Sequence, residues 1–447
     1  MPHNYLKHIL LTISSVILLL CLLSYIPAFT VGTYQFKPIH ILSDISPLPI
    51  DTKQAKKDSL KQPNGNRTCK SGIVCIEDFS ENKNAILPFI KALTTLKKTG
   101  KSARIAFFGD SIVEGDMILA QLRDTLQQLY GGHGVGYVPL TSPVARLRPT
   151  LEHDYKGWKT YAIIEKEDNI RFGIGGNTFV PEEGAFVEYR IPSLYRIATL
   201  QRFSQAKIYY EATNPVNFQY YFDKNAPQNA QLSATNKLKS HTLQQANAHK
   251  VHFSFPNVGE TLKIYGMSLE DEAGVYIDNF SLRGNAGPSL LRIDSQMFAE
   301  MNNLQSYSLV VLEYGLNVSR GTDVGLIQYA KEMDSTVFYM RKQFPTTPIL
   351  LIGVSDRGEK INDEYKTPKQ IRFLLEMQDK LIHKHKLLYW NTFEAMGGEN
   401  SMGQWVEKNW AQKDYTHLKF SGGGEMAKRL AAAILYEVEK NKESEGK

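Results

Sequence analysis

The chain has 447 residues, a formal net charge of +6, and 42% hydrophobic against 22% charged residues. That balance is ordinary for a globular protein with room for two or three domains. The basic excess is spread along the chain with no dense Lys/Arg block, which argues against nucleic acid as a partner.

Residues 9–29 are apolar but for Thr12, Ser14, Ser15, Ser24 and Tyr25, and carry no charge. A helix needs roughly 20 apolar residues to span a bilayer, and this run is long enough. A secretory signal would have a shorter core and an A-x-A-like cleavage site, of which "IPAFTVG" is a poor version. The expectation is an uncleaved transmembrane signal anchor over residues 1–33. Lys7 puts the N-terminus inside, so the remainder faces the periplasm. Cys21 lacks the small preceding residue of a lipoprotein. Residues 34–84 hold Pro, Ser, Lys, Asp and Asn with little periodicity and read as a periplasmic stalk. Within it Cys69 and Cys75 flank "KSGIV". An oxidising compartment permits a disulfide there, with two unpaired thiols as the alternative. Two cysteines without further His or Cys make no tetrahedral metal set.

From Ala85, "AILPFIKALTTLKK" has helical spacing, "ARIAFFGD" is a buried-strand pattern, and "DMILAQLRDTLQQLY" is an amphipathic helix. Residues 85–150 therefore open an α/β domain. "GGHGVG", Gly131 to Gly136, follows a helix instead of opening one, so it lacks phosphate-binding geometry and reads as a loop near the cleft. His133 and His153 have no partners at ligand spacing. Residues 151–270 change character: "AKIYYEA", "NFQYYFD", "HKVHFSF" and "ETLKIYGMSL" alternate between polar turns, which predicts an inserted all-β sandwich. Its aromatics suit either a core or sugar stacking.

Residues 271–447 return to the α/β rhythm. "GVYIDNFSL", "YSLVVLEYG", "TPILLIGVSD" and "KLLYWNTFEAM" read as strands. "PSLLRIDSQMFAEMN", residues 326–344, residues 368–384 and "SGGGEMAKRLAAAILYEVEK" read as helices. With "ARIAFFGD" this gives a five-stranded parallel sheet between two helical layers, a three-layer α/β/α fold.

Ligands bind beyond the carboxyl ends of such strands. The first strand delivers Gly109, Asp110 and Ser111; the second "RGNAG", with Gly284 and Gly287; the third "EYGLN", with Asn317. After the last comes "DYTH", Asp414 to His417. A serine hydroxyl needs an adjacent base, here His417, and the imidazole needs an orienting acceptor, here Asp414. The backbone N–H groups of Ser111 and Gly284 and the Asn317 amide are candidate oxyanion donors. Gly287 competes with Gly284 for that role. Read alone, Ser111 is equally a helix-start residue, and the ordered set of strand ends favours catalysis. Glu313 and Asp116 read as structural, Asp116 as a helix N-cap.

These four blocks, in this order, resemble the SGNH (GDSL-like) hydrolase superfamily over about residues 101–145 and from 274 to the C-terminus. Ser111, Gly284, Asn317 and His417 fall on the four blocks and Asp414 on the paired Asp. "YGGHGVGYVP", "MGGENSMGQW" and the exported setting look most like peptidoglycan O-acetylesterases, in which the insertion resembles a carbohydrate-binding module. Val318 departs from the acid that often follows the Asn. The resemblance implies a serine esterase acting on an acetylated glycan polymer, with no metal or organic cofactor. An O-acyltransferase with the same site and a non-catalytic glycan-binding protein are the alternatives.

Overall fold

The computed structural model describes residues 11–12, 14–16, 29–31, 34–36, 68–70, 72–165, 169–192 and 197–445. The anchor expected over residues 9–29 and most of the stalk lie outside the described residues. Among those described, no helix is long and apolar enough to cross a membrane. The chain divides into an N-terminal unit, Met1–Asn66, and a main unit, Arg67–Lys447. In the first, Phe29–Val31 pairs antiparallel with Tyr34–Phe36. In the second, Cys69 and Cys75 are disulfide-bonded across a short hairpin.

The centre of the main unit is a six-stranded sheet in the order Val275–Asn279, Ala103–Phe108, Leu309–Glu313, Ile349–Ile352, Leu388–Trp390, Ile76–Asp78. The first five are parallel, as expected. The sixth, Ile76–Asp78, is antiparallel and comes from the stretch assigned to the stalk. Three residues are too few to display a period in the sequence. Every residue of Ala103–Phe108 is buried, as a strand covered on both faces must be. Helices Leu87–Thr99, Leu119–Tyr130 and Phe420–Glu445 pack together as one layer, and Ser295–Gln305, Asp323–Gln343 and Lys369–His385 as the other.

Two expected elements are cut short by side-chain caps. In "KLLYWNTFEAM" only Leu388–Trp390 is extended; the Asn391 side chain then accepts from Glu394 N at 3.2 Å and starts helix Thr392–Met396. In "PSLLRIDSQMFAEMN" the Asp294 carboxylate accepts from Met297 N at 2.7 Å, which separates a 3₁₀ turn, Pro288–Arg292, from the helix. Both follow from the preference of Asn and Asp for N-cap positions.

The insertion is one nine-stranded antiparallel sheet folded over on itself, instead of two separate sheets. It also begins earlier than residue 151, because Gly136–Val138 pairs with Leu262–Glu270. Strands Glu152–Ala162 and Asn177–Arg190 pair with each other on both sides of a bend. Beyond the bend Asn177–Arg190 pairs with Lys250–Ser254, and before it with Leu262–Glu270. The corner falls at Gly157 and Gly184, with φ of 72° and 69°. A Cβ on Gly157 would stand 2.8 Å from Ala185 N, so no other residue fits. Strands that turn a corner through a bulge are how orthogonal layers stay continuous. Phe218, Val251 and Phe253 from one half meet Ile208, Ile264 and Met267 from the other in a single apolar core. Most of the aromatics considered for sugar stacking are buried here.

The insertion is welded to the six-stranded sheet. Arg104, 2% exposed on the second-position strand, donates to both oxygens of Asp278 at 2.9 Å and to Glu270 Oε1 at 2.7 Å. Lys207 reaches the same Glu270 oxygen at 2.5 Å, and Tyr307 donates to Asp278 Oδ2 at 2.9 Å. Burial alone would raise the Glu270 pKa, but Arg104 and Lys207 hold it below the usual carboxylate range. Arg104→Met leaves two buried carboxylates without their shared cation and should cost about 3–5 kcal/mol. The measurement is the urea midpoint at constant slope; a loss under about 1 kcal/mol, the scale of an exposed ion pair, would show that the network contributes little.

Candidate active site

Strand Ala103–Phe108 ends in Gly109, and Asp110 then caps a four-residue helix, Ser111–Glu114, by accepting from Ile112 N at 2.9 Å. Gly109 has no space to spare: a Cβ would lie 3.0 Å from Ser281 Oγ and 3.1 Å from Glu313 Oε2. Ser111 therefore sits in the first turn of a helix, with its side chain at the edge of solvent. Its N–H is one of those that a helix start leaves without an intrahelical partner.

The loop after Val275–Asn279 is laid against this turn by Leu282 N donating to Gly109 O at 3.1 Å. It carries both candidate glycines, and they differ. Gly284, with φ of 78°, has nothing within 4 Å of where a Cβ would stand, whereas a Cβ on Gly287 would meet Met333 Sδ at 2.6 Å. Gly287 is a packing requirement, and Gly284 borders open space. Asn317 follows Leu309–Glu313 in a 3₁₀ turn. Its Nδ2 donates to Asp110 Oδ2 at 3.1 Å and to Asn285 O at 2.9 Å. Both amide protons are thus engaged, and Asn317 ties together the loops of three strands.

Asp414 accepts from His417 Nδ1 at 2.7 Å, and its other oxygen accepts from the backbone N–H groups of Thr416 and His417 at 3.0 Å. Burial opposes ionisation of Asp414, but these bonds hold its pKa below the ordinary value. A carboxylate only accepts, so Nδ1 carries the imidazole proton and Nε2 holds the lone pair. Both side chains are about 40% exposed (41% and 42%). Tyr415, between them at φ of 53°, stacks on Tyr365 with ring centroids 3.4 Å apart. Tyr365 belongs to an exposed hairpin, Glu359–Ile361 with Glu364–Lys366.

Beneath Ser111 lies a feature that sequence reasoning set aside. Glu313, 5% exposed, accepts from Asp110 N at 3.4 Å, which sets the two carboxyls side by side. Burial, then the neighbouring Asp110, pushes Glu313 well above the usual range. Burial also lifts Asp110, to about 6, against the Ile112 N–H and His417. The available signal was one acid ending a wholly apolar strand, "LVVLE".

Other candidates are structural. Asp116 is not an N-cap, because the next helix starts at Leu119; its buried carboxylate binds Arg123, Arg148 and Thr150 at 2.7–3.2 Å. His133 pairs with Asp271 at 2.8 Å. His153 Nε2 bonds Leu140 O at 3.0 Å, and burial pushes its pKa down to about 4. Among the described residues no cluster of His, Cys, Asp and Glu could hold a metal ion. The Gly131–Gly136 loop lies at the amino ends of the strands, not near the cleft: Val275 N donates to Gly131 O at 3.0 Å, and Gly132 packs against Gly274.

Two cavities lie along the insertion, and the smaller one reaches the Ser111 helix at Glu114. A small one of about 40 Å³ is walled by Glu114, Ser281, Leu282, Tyr137, Arg148 and His153. It shares Ala145, Arg148 and His153 with a groove of about 630 Å³ that runs over Glu152, Asp154 and Arg190 of the insertion.

No family model and no curated protein sequence matches the chain. Among solved structures, a peptidoglycan O-acetylesterase aligns with a TM-score of 0.66 at 18% identity, over 82% of this chain and 99% of its own. A family two carbohydrate esterase from Clostridium thermocellum with cellohexaose aligns at a TM-score of 0.30 and 11% identity, over 63% and 99% of the two chains. A salicylyl-acyltransferase from a tetracycline biosynthetic pathway aligns at 0.27 and 11%, over 64% and 97%. The first likeness shows a shared fold.

The acid pair sets a sign for pH dependence. Asp110 has a folded pKa of about 6, above an unfolded value of about 3.9. The folded state therefore holds the extra proton, and its contribution is full below the unfolded value and lost as pH rises through about 6. Glu313 acts in the same direction. Glu313→Gln keeps the shape of the protonated acid without its charge. Its stability should fall less between pH 4 and 8 than that of the parent, followed by urea midpoints; equal slopes would mean the two carboxyls do not share a proton.

Proposed function

We propose that this chain, built on the SGNH hydrolase fold, is a serine esterase that removes O-acetyl groups from a cell-wall glycan, with peptidoglycan the first candidate. It would act in the periplasm, held to the inner membrane by residues 1–33. The observation that carries the reading is the Asp414–His417 hydrogen bond of 2.7 Å, which orients an imidazole on the loop between the last parallel strand and the final helix.

In this mechanism His417 Nε2 takes the hydroxyl proton as Ser111 Oγ attacks the ester carbonyl. Asp414 fixes the tautomer and stabilises the imidazolium. The N–H groups of Ser111 and Gly284 receive the oxyanion, for which the open space around Gly284 leaves room. Asn317 is the third donor, and the reading requires it to exchange its Asp110 bond for the oxyanion. His417 then protonates the departing sugar oxygen, leaving an acetyl ester on Ser111. Water, deprotonated by His417, attacks that ester and releases acetate.

The groove over Glu152, Asp154 and Arg190 of the insertion supports a polymer over a small ester. The likeness to a peptidoglycan O-acetylesterase supports that polymer being acetylated peptidoglycan. The test incubates the soluble main unit with O-acetylated peptidoglycan and measures acetate, with and without a glycan acceptor. Acetate release is expected, and Ser111→Ala should lower kcat by several orders of magnitude in a folded protein. Acetyl transfer to the acceptor in place of release would make it an acyltransferase. Near-normal turnover by folded Ser111→Ala would remove the serine mechanism.

A further inference from the structure

We propose that Gly422 and Gly423 are positioning residues for the reaction: they let two stretches of main chain press directly on the final helix, and so set how far His417 stands from Ser111. The proposal rests on the Ser111–His417 mechanism above and adds what fixes its geometry.

Three consecutive glycines, Gly422 to Gly424, lie in the first turn of helix Phe420–Glu445, although glycine is the poorest helix former apart from proline. Close approach accounts for two of them. A Cβ on Gly422 would overlap Trp410 O and stand 2.8 Å from Trp410 C. A Cβ on Gly423 would overlap Met117 O and stand 2.6 Å from Met117 C. Both obstacles are main-chain atoms, so no change of rotamer removes them. Gly422 and Gly423 are buried, whereas Gly424 has nothing within 4 Å of its Cβ position.

Each contact holds one half of the site. Met117 follows the Ser111 helix closely. Asp116 N donates to Val113 O at 2.9 Å, and the Asp116 carboxylate is held by Arg123, Arg148 and Thr150, so Met117 is fixed to the Ser111 turn. Trp410 is the base of the loop that carries the dyad. Lys419 N donates to Trp410 O and Gln412 N to His417 O, both at 2.8 Å, and Ala411 pairs with Leu418. Asp414 and His417 therefore belong to a closed loop whose base presses on Gly422. Ser421 Oγ donates to Asn409 O at 3.0 Å and ties the same base to the helix start. The path from nucleophile to base runs through Met117, Gly423, Gly422 and Trp410, by main-chain contacts and hydrogen bonds. A methyl group added at Gly423 drives the helix start, and the loop built on it, away from Met117. A misplacement of about 1 Å can cost about a hundredfold in rate.

The experiment compares Gly423→Ala with Gly424→Ala, each checked for folding by thermal melting. It reads kcat and KM on p-nitrophenyl acetate and the rate at which diisopropyl fluorophosphate labels Ser111, neither of which needs a glycan. Gly424→Ala should melt at or above the parent's temperature and keep its kcat. Gly423→Ala should lose about a hundredfold in kcat with KM little changed, and label correspondingly slowly. In a His417→Ala background Gly423→Ala should cost nothing further, because residues that act as a unit are not additive. Equal kcat for the two alanine variants, or the same loss with and without His417, overturns the positioning role. If Gly423→Ala does not fold, Ser421→Ala carries the test, since it loosens the same base and adds no atom to a tight contact. Its kcat should fall about three- to tenfold, and only where His417 is present; an unchanged kcat overturns the proposal. Failure of the mechanism is a separate result. Parent-like turnover by folded Ser111→Ala or His417→Ala removes the serine mechanism and the positioning role together. Essential Ser111 and His417 with a parent-like Gly423→Ala remove the positioning role alone.

Discussion

The buried guanidinium of Arg104 is the constraint on which the rest of the molecule depends. It sits on the strand that ends in Ser111 and is neutralised by Asp278, on the neighbouring strand, and Glu270, at the last residue of the insertion. A charge so deep is tolerated only when its partners are held in good geometry. The demand locks three pieces of chain into one register: the strand that leads to Ser111, the strand that leads to Gly284, and the final strand of the β module. The module is therefore no appendage on a tether. Arg171 repeats the logic further out, reaching from the module to Asp294 and Glu300 at 3.1 Å and 2.9 Å.

On that frame the site divides into a dry half and a wet half. Asp110 and Glu313 lie under the Ser111 turn, where burial raises the pKa of both. Asp414 and His417 lie at the surface, where water competes with every bond they make. Asn317 bridges into the dry half through Asp110, so one amide links the acid pair to the loop that carries Gly284. The small polar cavity lies on the module side of the same four-residue helix.

Much of this was legible in the sequence because it rests on local patterns. Buried strands read as apolar runs, and the β module reads as period-two alternation. Ser111, Asn317 and His417 stood out by falling at strand ends in order. The edge strand Ile76–Asp78 was illegible because its pairing with Leu388–Trp390 is non-local and three residues long. The helix at Thr392 was hidden by a run of apolar residues that Asn391 interrupts with a single cap. Glu313 looked structural because its importance comes from Asp110, two hundred residues away in sequence and in contact only after the sheet forms. Gly284 and Gly287 were indistinguishable until Met333 and Tyr314 filled the space beside one of them. The Gly131–Gly136 loop was put at the wrong end of the sheet, since composition says nothing about which end a loop occupies.

The stack of Tyr365 on Tyr415 has a consequence for durability. The imidazole is placed by a loop whose aromatic support is a hairpin with every strand residue exposed. Such a segment opens at a small fraction of the free energy that unfolds the core. Heating, or a protease that nicks the Asn362–Asp363 tip, would displace His417 while the sheet, the insertion and their spectroscopic signatures persist. Under the proposed mechanism, inactivation and denaturation would be separate events, and the residual activity of a stored sample would report on the hairpin before it reports on the fold.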